Sequence, residues 1–281
     1  PEDLWGSLDR LPPDELEAFE RTCRTPADPV LSRPRFVEGC GPGEPCNPIP
    51  TLELFRASQA TVVWLARDER WTEAADRWSR DLDRLKDLGT HARSIVMHMT
   101  VAALLGNHLA VAETLRARVP PDAQAAFRTH MRISLTRDDL AAWNLSMGIV
   151  ADYLFLRTEL ERVSGEWLLD RAQTMDLLTA KVEAHVAYAE GRGSRPVARL
   201  YRSSTGWWLY NATGKRILDG STVDFADHAD AFRTKCDNLA SGLQRLAEAL
   251  RAEPANDARP EGPPQAPPQD DAGGVEELGS N

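Results

Sequence analysis

Cysteine is scarce in this chain, with four residues in 281, too few for a fold built on a disulfide framework. Aromatic residues are held to 7%. No uninterrupted apolar run approaches the ~20 residues that cross a bilayer; the best stretches, 95–105 and 145–156, carry His98 and Asp152. Fibrous and multi-span architectures are excluded. Basic charge is also in deficit, 33 Lys and Arg against 43 Asp and Glu for a net charge of −10. Proteins that grip phosphate backbones draw most of their affinity from a basic face. Nucleic acid is not an expected partner.

Catalytic signatures are missing too. There is no G-x-S-x-G elbow and no S-x-x-K, and no cysteine has a histidine beside it to activate the thiol. Gly191-Arg-Gly193 lacks the preceding strand and following helix of a phosphate-binding loop. The six histidines are His91, His98, His108, His130, His185 and His228. His91 and His98 fall seven apart on one expected helix, whereas co-ligation needs a spacing of three or four. They are read as structural or solvated, His98 as a hydrogen-bonded core residue. The carboxylate pairs Asp81 with Asp83 and Asp138 with Asp139 sit on arginine-rich helices and are read as solvated faces. No catalytic residue, metal site or cofactor is assigned.

What is present is helical periodicity. Residues 13–24 place Leu16, Phe19 and Cys23 at helical spacing, with Pro13 suited to the first turn and the acids Asp14, Glu15 and Glu17 near the positive end. A proline-studded connector follows to Pro50. From Thr51 to Ala252 the pattern predicts successive helices: 51–66 capped by Thr51, 72–88 capped by Thr72 and ended by Gly89, 90–105 closed by Gly106, 107–119, 122–135, 136–161 capped by Thr136, 166–190 ended by Gly191, and 225–250. Trp78, Leu82 and Leu85 are expected in the core. Connections this short favour antiparallel neighbours. The expected fold class is all-α, an irregular antiparallel helical bundle with a short extended or hairpin segment near 196–218. The organisation is an N-terminal helix and clipped connector over 1–50, a helical domain over 51–252, and a tail over 253–281. That tail holds seven acids against Arg259 alone and six prolines, a composition too poor in apolar surface to fold and read as disordered.

Cys40 and Cys46 bracket a Gly-Pro-Gly-Glu-Pro turn that brings two sulfurs within bonding reach, and the preferred reading is a disulfide clip contributing about 2 kcal/mol. A zinc site is the rival, but C-x5-C lacks a ligand knuckle and no histidine is near. Cys23 and Cys236 either pair or stay as buried free thiols. Disulfides persist in oxidising compartments, so the clip points to a periplasm or exterior. One local feature stands out from the acidic background: Arg192, Arg195, Arg199, Arg202, Lys215 and Arg216 interleave with Tyr201, Trp207, Trp208 and Tyr210. Trp, Tyr and Arg dominate interface energetics. Arg199, Tyr201, Arg202, Trp207, Trp208, Tyr210 and Lys215 are therefore the candidate binding residues; the plainer alternative is a strap anchored to the core by its aromatics.

Trp207-Trp-Leu-Tyr-Asn-Ala-Thr-Gly-Lys215 resembles the W-x-x-N-P-x-G-K segment of an uncharacterised group of helical, membrane-anchored periplasmic proteins of Gram-negative bacteria, with Ala212 at the family's proline. Leu4-Trp-Gly-Ser-Leu8, the C-x5-C pair Cys40 and Cys46, the helix 91–103 with His98 at the family's lysine, and Asp237-Asn-Leu-Ala-Ser-Gly-Leu243 are similar to further family segments. The resemblance implies a periplasmic helical domain tethered to the inner membrane by an anchor ahead of Pro1, and implies no activity. The expected function is a non-enzymatic binding or scaffold role in the cell envelope toward a protein or envelope polymer, with membrane contact only through that anchor. The alternatives are an envelope enzyme acting on cell-wall glycan through carboxylates, and a cytosolic helical adaptor with free thiols.

Overall fold

The computed structural model describes residue 10 and residues 12–24, 48–162, 170–196 and 225–252. These residues are helical with short links, and no strand occurs among them; the chain is all-α. Most of the segment expected near 196–218 lies outside the described residues. So do Cys40, Cys46 and the tail from residue 253.

Helix α1, Pro13–Arg24, starts and ends where the sequence places it. Helix α2, Ile49–Arg67, begins ahead of Thr51. Pro50 costs nothing in a first turn whose N–H groups have no partner, so Thr51 lies inside the helix and is buried instead of capping it. The helix is closed by Glu69 in the left-handed region, φ 59°, with Arg70 N–H donating to the Leu65 carbonyl at 2.9 Å. Helix α3, Trp71–His91, likewise contains Thr72 in its first turn. Its buried stripe of Ala74, Ala75, Trp78, Leu82 and Leu85 is fully inaccessible, the 3.6-residue spacing of a core-facing helix.

Helix α4, Ile95–Arg118, is a single element where the sequence pattern predicts two. Ser94 caps it by accepting from Met97 N–H at 3.1 Å, and Gly106 stays inside. A glycine there costs about 1 kcal/mol relative to alanine, far less than the burial that an interruption between Leu105 and Leu109 would forfeit. Its length and composition would suit a membrane crossing, yet α4 is the bundle's central rod. It packs against α2, α3 and, from the C-terminal side of the chain, α7 and α9.

Beyond Pro120 and Pro121, α5 is short, Gln124–His130, because residues 131–136 run extended against α3. Arg132 N–H donates to Ser79 Oγ at 2.8 Å and Lys86 Nζ to the Ser134 carbonyl at 3.2 Å. The long helix expected from Thr136 is two. Thr136 and Asp139 form a reciprocal capping box for α6, Arg137–Ala142, and the chain turns extended at Trp143. Asn144 Oδ1 then accepts from Ser146 N–H at 2.9 Å, restarting the chain as α7, Ser146–Arg162. Helix α8, Arg171–Ala189, is capped by Asp170, and α9, Phe225–Arg251, covers α4, α6 and part of α8.

Candidate functional site

All seven candidate binding residues, Arg199, Tyr201, Arg202, Trp207, Trp208, Tyr210 and Lys215, lie outside the described residues. The structure does describe the two ends from which they are reached. Helix α8 closes at Gly191, φ 73°, a conformation that suits glycine because it has no Cβ. Beyond it Arg195 donates to Asp230 at 3.0 Å and pairs with Asp227, both on α9. Tyr188 O–H donates to Asp230 at 2.7 Å, and Arg233 donates to the same carboxylate at 3.1 Å while lying over the Tyr188 ring. The His185 ring meets Phe225 edge-on, centroids 5.6 Å apart. Residues 196 and 225 are thus fastened to one corner of the bundle. Arg195, read from the sequence as one of the basic residues interleaved with the aromatic stretch, is tied instead to Asp227 and Asp230 of α9.

A cavity of about 280 Å³ opens beside this corner, between α6 and α9. Leu140, Leu145, Phe232 and alanines of α8 and α9 form its apolar walls; Arg137, Arg233 and Asp237 stand around it with Asn144. Trp143 lines it, 5% exposed, with an indole N–H that is buried and has no hydrogen-bond partner. The ring is seated on Gly89, where a Cβ would come within 2.2 Å of it. Arg137 and the Asp237 carboxylate form no hydrogen bond or ion pair among the described residues. Cys236 also lines the cavity. Its thiol is free, as one of the two sequence readings had it, and burial together with the nearby Asp237 charge pushes its pKa up to about 12, so it stays protonated. The Cys23 side chain lies outside the described residues.

Two buried polar clusters escaped the sequence reading. Asp81, expected on a solvated face, is fully buried. It accepts from Ser58 Oγ of α2 at 2.5 Å and from Arg84 at 2.9 Å, with Arg77 at 3.7 Å. Its neighbour by pattern, Asp83, is exposed. Charge alone does not tell the two apart; Asp81 lies one position before the buried Leu82. In the second cluster Trp78 and His108 clasp α3 to α4. The indole N–H donates to the His108 carbonyl and His108 Nε2–H donates to the Trp78 carbonyl, each at 2.9 Å, with the rings stacked at 4.7 Å. Burial lowers the His108 pKa to about 4, against the pull of the Asp81 charge.

His91 and His98 fall on different helices, α3 and α4, because the chain turns extended at Ala92. His98 is the core residue expected, its Nδ1–H donating to the Ser94 carbonyl at 3.0 Å. No group of three or more His, Cys, Asp or Glu side chains able to hold a metal occurs among the described residues. On α7, Met147 and Phe155 are exposed, and a second groove of about 440 Å³ runs between α7 and α8 past Val150, Tyr153 and Val186. Burial raises the pKa of Asp152 on the same helix.

Comparison of the chain with protein-family models, with curated proteins and with solved structures finds no match in any of the three.

Proposed function

We infer that this is a non-enzymatic binding or scaffold protein of the bacterial cell envelope, periplasmic and tethered to the inner membrane, which presents the basic and aromatic stretch 199–215 to a protein or an envelope polymer. The observation that carries the reading is the clamp at the base of that stretch. Arg195, Asp227, Asp230 and Tyr188 hold residues 196 and 225 at one corner, and a segment fastened at both ends has less freedom to lose when it meets a partner. Support for the compartment comes from the C-x5-C turn and from the family resemblance of residues 207–215.

The test is retention of envelope components by the purified protein, compared with a variant carrying Trp207→Ala, Trp208→Ala and Arg202→Ala. Recovery of a component that the variant retains at least tenfold less well is expected; equal recovery by both proteins overturns the reading. Thiol counting tests the compartment separately. Cys40 and Cys46 should resist alkylation until reduced, and four free thiols in the native protein would favour the cytosolic adaptor instead. Release of soluble fragments from purified cell-wall glycan would favour the enzyme.

A further inference from the structure

We draw no further inference here: the strongest candidate, the apolar groove of about 440 Å³ between α7 and α8 together with Met147 and Phe155 exposed on α7, is an unpartnered face, and nothing in the structure shows what covers it.

Discussion

Asp81 has no solvent-facing atom of consequence, and its charge is balanced by Arg77, Arg84 and the Ser58 hydroxyl. Removing one partner of a buried pair strands the other charge in low dielectric, and that loss exceeds the net worth of the pair. Asp81→Ala should therefore lower the unfolding free energy by about 3–5 kcal/mol, read from urea denaturation. His108 makes a prediction in pH. Its folded pKa of about 4 lies below the unfolded value near 6.5, so between these values the unfolded chain binds more protons and stability falls as pH is lowered. The loss should reach about 3 kcal/mol as pH drops from 7 to 4. His108→Gln, although less stable overall, should show a correspondingly flatter slope. Neither role could be read from the sequence. A carboxylate between arginines and a histidine among alanines look the same whether their helix face meets water or another helix.

At the scale of elements, periodicity located nearly every helix while their ends followed local chemistry and packing. Thr136 was legible because a threonine followed three residues later by an acid is a capping signature. In the structure, burial works upward on the Asp139 pKa, but hydrogen bonds from Lys86 and from both the amide and hydroxyl of Thr136 outweigh it and hold the carboxyl below its ordinary value. Thr136→Ala and Ser94→Ala should each cost about 1 kcal/mol, measured by chemical denaturation. The break after α6 had no such local signal. Trp143 leaves the helix to occupy the seat over Gly89 on a helix some fifty positions earlier in the chain, a contact that local pattern cannot report. Gly89→Ala tests this: on helix propensity alone it should stabilise by up to about 1 kcal/mol. With the ring 2.2 Å from the new Cβ, it should instead destabilise by about 1–3 kcal/mol, and Gly89→Ala combined with Trp143→Leu should recover part of that loss.

For the whole molecule, α4 and α9 join the helices of the first half to those of the second, α4 packing against α2, α3, α7 and α9, and α9 against α4, α6 and α8. Phe232 of α9 is 2% exposed, meets His98 of α4 edge-on at 5.6 Å and forms part of the cavity wall. Phe232→Ala should cost about 3–5 kcal/mol and lower the melting temperature by about 10 °C for a domain of this size, followed by circular dichroism. If α9 belongs to the same cooperative unit as α2–α4, a single transition persists at the lower temperature; two transitions would show that α9 melts on its own.

The sequence by itself determined that the chain is all-α, which faces of α3 and α9 are apolar, and that His98 is a core residue. Those properties follow from the 3.6-residue period and from composition, which act over one or two turns. Tertiary structure decided that Gly106 is spanned, that α6 and α7 are separate, that Asp81 is buried, and that Trp143, Arg137 and Asp237 share one cavity. Each of these depends on residues far apart in the chain meeting across helices, where the free energy of burying apolar surface exceeds the roughly 1 kcal/mol preferences that a local pattern expresses.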